Sequence, residues 1–341
     1  MDEVSMAGAV YVQTNDTNNE VVVFARGADG TLSRGGTFST GGRGTGVPHL
    51  TSQGSVVLTG DGRSLLVANA GSDDVSLVSV GDGGLQLVGV TPTGTAPKSI
   101  AEHDGLVYVL NTGEPGLIAF RLGMNSLEPV AGSERSLPSN ADPAQVGLTP
   151  DGRVLLVTER GTDSIVAFPV GADGLLGEPV RIPSSGPTPY GFAVSQAGTL
   201  VVTEAFRAEK GAAAVSSYTV GDGSVEPVTR SVGNGRTEVC WAVIMKDGRY
   251  AFTTNFADGA VSRYAIAEDG SLTLEDAVAG TAVEGQTGLR DEDLTGDGRF
   301  LYAIDAGAGH LFGWAVGIDG TLTPVGWREG LPPTVAGLAA S

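Results

Sequence analysis

Seven amide or carboxylate side chains recur at equivalent ends of short apolar runs: Asn15, Asn69, Asn111, Glu159, Glu204, Asn255 and Asp305. Asn and Asp hydrogen-bond their own backbone two residues on, so five of the seven suit the start of a turn. Asn-x-Gly at 69–71 and 111–113 and Asp-x-Gly at 305–307 read that way. Glu is a poor turn residue, so Glu159 and Glu204 stand apart. Two carboxylates near one pocket hold a cation through oxygen ligands or serve as acid and base; turn-making stays open for both. A second recurring position carries Lys98, Gln145, Tyr190, Cys240-Trp241 and Arg290-Asp291, with Gly54 and Gly337 in the remaining units. So varied a set suits a pocket better than a shared structural duty. The run Leu-Arg-Asp-Glu-Asp-Leu at 289–294 is either a buried ion pair or an anion-binding Arg290 held by Asp291. His49 lies in the Val-Pro-His-Leu stretch at 47–50 and is placed to reach the same pocket. Three scattered His and one Cys give no zinc site, and no Gly-x-Ser-x-Gly elbow or Gly-rich phosphate loop is present.

The elements that position these residues come from a repeat of about 46 residues with four short apolar runs per unit, the mark of a β-propeller. Units start near residues 54, 98, 144, 190, 240 and 288. In the second unit, strand a is 55–59, b is 64–68, c is 75–80 and d is 85–90. Asp-Gly pairs at 61–62, 151–152, 247–248 and 297–298 make the a-to-b turn, where positive φ is needed. Strand b is apolar on both faces, as in Leu65-Leu66-Val67 and Leu155-Leu156-Val157, which suits blades packed face to face. Residues 9–14 and 21–25 resemble strands b and c, with no inner strand ahead of them. Residues 334–341 resemble the opening of the fifth unit at 189–195, so the C-terminal strand is expected to complete the N-terminal blade. The expectation is an all-β, seven-bladed β-propeller forming one domain over 1–341. The amide and carboxylate ring and the inner-strand starts then surround one mouth of its central channel, where loops are free to vary on a rigid scaffold.

Composition narrows the partners. A net charge of −19, with three Lys and 17 Arg, argues against a nucleic-acid or anionic-membrane surface. No run approaches the roughly 18 apolar residues that span a bilayer. Residues 1–6 have neither a basic n-region nor an apolar h-region, so a cytoplasmic protein is expected, although a secreted protein trimmed of its leader would read the same. Cys240 sits in an apolar strand at 239–245 and reads as a buried thiol. A small-molecule substrate or ligand is the expected partner. The oligomeric state is left open, because no unit shows a distinct apolar surface stripe.

Several phrases carry a family resemblance: Gly-Leu-Thr-Pro-Asp-Gly-Arg at 147–153, the run at 154–159, Gly-Thr-Asp-Ser-Ile-Val-Ala-Phe at 161–168 and the Gly-Ala-Asp-Gly-Leu turn at 171–175. With Asp-Gly-Arg-Tyr at 247–250, they resemble the lactonase family of seven-bladed propellers, which includes phosphogluconolactonase and carboxymuconate cyclase, over nearly the whole chain. The resemblance implies a His-x-His-Gln entry to the fourth blade, which here is Asp142-Pro143-Ala144-Gln145, so only Gln145 is kept. It implies an acidic residue in the next blade, matched by Glu204, and an Arg entering the seventh, matched by Arg290. An Arg after Asn255 is replaced by Phe256.

Two functions follow. In the first, a lactone hydrolase or lactonising cyclase uses Glu204 as base, Arg290 to stabilise the oxyanion or a carboxylate, and His49 in place of the missing His. Gln145, Glu159, Tyr190, Trp241, Asn255 and Asp291 would line its substrate site, with no cofactor. A calcium ion at the mouth is a variant of this reading. In the second, the propeller is non-catalytic and binds a small molecule or a protein.

Overall fold

A computed structural model describes residues 6–48, 50–81, 83–221 and 224–341. It forms seven antiparallel sheets in a ring. The closing strand is the tail: Leu338–Ala340 pairs with Met6–Gln13, followed outward by Glu20–Gly27 and Leu32–Ser39. This is blade one. Blades two to seven open with the inner strands Val56–Leu58, Pro97–His103, Pro143–Leu148, Pro189–Val194, Val239–Ile244 and Leu289–Leu294. Each continues outward through strands b, c and d in chain order. No helix among the described residues is long and apolar enough to cross a membrane.

The two-sided strand b builds the core. In blade four, Leu155 and Val157 pack with Tyr108 and Leu110 of blade three, while Val154 and Leu156 pack with Leu200 and Val202 of blade five. Successive side chains of a strand face opposite sides, so one apolar strand serves two inter-blade layers. The a-to-b turns are pinned by a repeated bond. Thr59, Thr149 and Thr295 hydroxyls donate to Asp61, Asp151 and Asp297 at 2.7, 2.7 and 2.6 Å. The next residues, Gly62, Gly152 and Gly298, sit at φ 70°, 69° and 71°, where a side chain would be strained.

Blade three departs from the pattern. Its outer strand breaks into Leu127–Pro129 and Arg135–Ser136 around a turn. Ser133 Oγ replaces the missing backbone partner by accepting from Ala119 N at 3.0 Å.

Candidate functional site

The amide and carboxylate ring faces outward into the blades. Asn255 donates to Ala260 O and Ser262 Oγ, both at 2.9 Å, and its Oδ1 accepts from Asn234 Nδ2 at 2.8 Å. Asn69 donates to Asp74 and Ser76 in the same way, each at 2.7 Å. Glu159, fully buried, is gripped by the Arg181 guanidinium of its own outer strand and accepts from Thr162 Oγ1 at 2.6 Å. Glu204, also fully buried, accepts from Gly186 N at 2.8 Å, from Ser231 Oγ at 2.7 Å and from Ser216 Oγ. Burial pushes its carboxyl above the ordinary value, against those hydrogen bonds. Asn69, Asn255, Glu159 and Glu204 are thus bonded to strand c or strand d of their own blades, while Asn15 donates to Thr45 Oγ1 and Thr334 O and Asp305 accepts from Ala308 N inside its turn. Glu159 and Glu204 sit in separate blades and share no partner.

The channel itself is crossed. The segment entering blade two reaches the inner strand of blade six, where Gln53 Nε2 donates to Ala242 O at 2.8 Å and Gln53 Oε1 accepts from Ala242 N at 3.1 Å. Trp241 Nε1 donates to Ser52 O at 2.9 Å. Gly191 makes room for this crossing: a Cβ there would lie 2.3 Å from Gln53 Oε1 and 2.4 Å from Cys240 O. Gln145 is locked between inner strands, accepting from Phe192 N at 2.6 Å and donating to Phe192 O at 3.0 Å.

Beyond Gln53 the channel widens into a cavity of about 870 Å³, lined by Glu102, Asp291, Glu292, Asp293 and Asp297. It reaches the a-to-b turns at Asp61 and Pro150, on the face opposite the loops expected to carry function. Asp291 accepts from Gly337 N at 3.0 Å and Asp293 from Ala340 N at 2.9 Å. Burial raises both carboxyls to about 7.

On the other side of Gln53 a different set meets. Lys98 Nζ and Arg160 Nη2 both donate to Thr51 Oγ1, at 3.1 and 3.4 Å. Arg160 also reaches Asp142 Oδ1 at 2.7 Å and lies 5.1 Å over the Tyr190 ring. Tyr190 leans on Trp241, with centroids 5.4 Å apart, and Trp241 on Phe256 at 6.4 Å. Arg290 completes the arc, 5.3 Å over Phe256, with Nη1 donating to Val335 O at 3.3 Å. Burial, then Arg160, lowers the Lys98 ammonium below its ordinary value. Among the described residues, the buried Tyr190 hydroxyl and Arg290 Nε have no partner. A desolvated donor left unpaired is costly, and an oxygen acceptor would relieve that cost.

Of the residues predicted from sequence, the structure thus brings Tyr190, Trp241 and Arg290 together. It keeps Glu159, Glu204 and Asn255 inside their blades and places Gln145 and Asp291 on the far side of Gln53 along the axis. His49 lies outside the described residues. Sequence reasoning missed Thr51 and Arg160. A signal for Arg160 existed: it follows Glu159 as Phe256 follows Asn255, and both end up beside the Tyr190–Trp241 pair.

The family model described as Lactonase, 7-bladed beta-propeller matches residues 6–122, 118–210 and 204–331. A 6-phosphogluconolactonase of Serratia proteamaculans (strain 568) is 22% identical over 277 residues, covering 77% of this chain and 80% of that one. The periplasmic gluconolactonase of Pseudomonas aeruginosa superposes with a TM-score of 0.72 at 18% identity over 98% of both chains. A Lactobacillus plantarum protein gives 0.75 at 15% identity, over 98% of this chain and 99% of that one. At these identities the structural likenesses show the fold alone.

Proposed function

This chain belongs to the lactonase family of seven-bladed β-propellers, and on that footing we propose that it opens a small organic-acid lactone at the Thr51–Arg160–Tyr190–Arg290 mouth. The observation that carries this reading is the pair of buried, unpartnered donors on Tyr190 and Arg290 within an arc of three cations. In this reading those donors bind the carbonyl oxygen, whose charge grows as the tetrahedral intermediate forms. Arg160 and Thr51 Oγ1 take the substrate's acid group.

Water adds to the carbonyl carbon and the ring C–O bond breaks. Asp142, a mouth carboxylate whose side chain is 57% exposed, receives the water proton. Lys98, its hold on a proton weakened by burial, gives one to the departing ring oxygen. Glu204, enclosed by Gly186, Ser216 and Ser231, acts as a blade anchor in this scheme.

The test is a lactone-hydrolysis screen of the native chain beside Arg290→Gln, Tyr190→Phe and Asp142→Asn. Turnover that drops in all three supports the site. Saturable lactone binding with no turnover in the native chain would point to a non-catalytic binding propeller.

A further inference from the structure

A second pocket lies at the seam where the ring closes, between the outer strands of blades one and seven. Its volume is about 670 Å³, within the range of small-molecule sites. Arg34 enters from blade one and Arg328 from blade seven, with His310 between them and Phe24 and Leu331 as the apolar floor.

The seam pocket is rich in positive charge. In a chain of net charge −19, two guanidiniums line this pocket against a single carboxylate, Glu329. Neither Arg34 nor Arg328 forms an ion pair among the described residues. Each spends one N–H on a backbone carbonyl: Arg34 on Gly330 O at 3.4 Å, Arg328 on Trp327 O at 2.7 Å. Arg34 also reaches Thr37 Oγ1 at 3.2 Å. A guanidinium has five N–H donors in a planar fork, so both retain donors for an oxyanion.

The imidazole is held by aromatic neighbours. His310 stacks on Trp327 with centroids 4.2 Å apart and meets Phe312 edge-on at 5.8 Å. Its Nδ1 is buried and has no hydrogen-bond partner. The ring is fixed by aromatic contacts, while one nitrogen is left without its bond.

We propose that this seam pocket binds a small organic oxyanion, a carboxylate or a phosphate, with its charged head between Arg34 and Arg328 and its body on Phe24 and Leu331. None of its lining residues belongs to the Thr51–Lys98–Arg160–Tyr190–Arg290 set. Because it joins the first and last blades, occupancy also ties the closure of the ring.

His310 is the reporter, as one of three His in the chain. Its imidazole resonances are followed by NMR while inorganic phosphate, and separately gluconate, are titrated into the full chain. A saturable shift is expected, about tenfold weaker in Arg34→Gln and in Arg328→Gln, since each loses a charge-assisted hydrogen bond. The Lys substitutions at both positions, which keep the charge, retain binding, and Arg160→Gln at the mouth leaves the His310 response intact. A response to phosphate alone assigns a phosphate ligand, and one to gluconate alone a carboxylate. No movement with either probe, or an undiminished shift in a folded Arg34→Gln/Arg328→Gln protein, overturns the proposal.

Discussion

The amide of Gly337 donates to Asp291 Oδ2 across the joint between the last blade and the first, at 3.0 Å. Ala340 repeats the contact one step along, to Asp293 Oδ2 at 2.9 Å. The tail strand is thus fixed on both edges, by Met6–Gln13 on one side and by two carboxyls on the other.

Burial of the two carboxyls, working against those hydrogen bonds, gives the protein a pH-dependent stability. Asp291 and Asp293 titrate near 7 when folded, against about 3.9 unfolded. Between those values the native state binds more protons, so their contribution is full at acid pH and is lost as pH rises through about 7. The expected slope is about 1.4 kcal/mol per pH unit for each carboxyl. Asp61 and Asp151 work in the opposite sense, held below their ordinary value by Thr59 and Thr149, and matter only on stronger acidification. Urea midpoints should therefore fall from pH 5 to pH 8, and Asp293→Asn should flatten the trend. A midpoint rising over that interval would sink the assignment.

Tyr190→Phe should separate stability from activity. The hydroxyl is buried without a partner, so its removal should raise stability by about 1 kcal/mol. If it holds the oxyanion, kcat/KM for the lactone should drop about a hundredfold in the same variant. Thermal melts and steady-state kinetics on one preparation decide the matter.

Glu204 should behave as an anchor. Glu204→Ala leaves Gly186 N–H and two serine hydroxyls without their acceptor, at a cost of about 2–4 kcal/mol. Glu204→Gln keeps one acceptor oxygen and should leave kcat/KM within about threefold of native, as expected for a substitution remote from the reacting atoms. A large loss of kcat with an unchanged melt would instead place Glu204 at the chemistry.

Arg181 and Glu159 offer a double-mutant cycle. Arg181→Ala strands a fully buried carboxylate and should cost about 3–5 kcal/mol, while adding Glu159→Gln should recover part of it. Additive single effects would mean the two are uncoupled.

Much of the ring was legible in the chain, because Asp-Gly turns, two-sided b strands and the odd tail each have a local pattern. The mouth was legible at Tyr190, Trp241 and Arg290, which open inner strands. Glu159 and Glu204 misled for a physical reason: each stands out within a polar ring, but its compensating partner lies in an outer strand of the same blade. Arg181 and Ser231 reach them only once strands c and d pair. Thr51 carried no signal, since its position follows from a segment that crosses the axis to blade six, and no periodicity encodes such a crossing.

The Gln53 crossbar divides the axis of this propeller into two unlike ends. One end gathers Lys98, Arg160 and Arg290, the other a cluster of carboxyls beside Arg26, with an amide bridge and the Trp241 ring between them. The axis is then no conduit. In the proposed scheme, a reactant at the cationic end leaves by the door it entered.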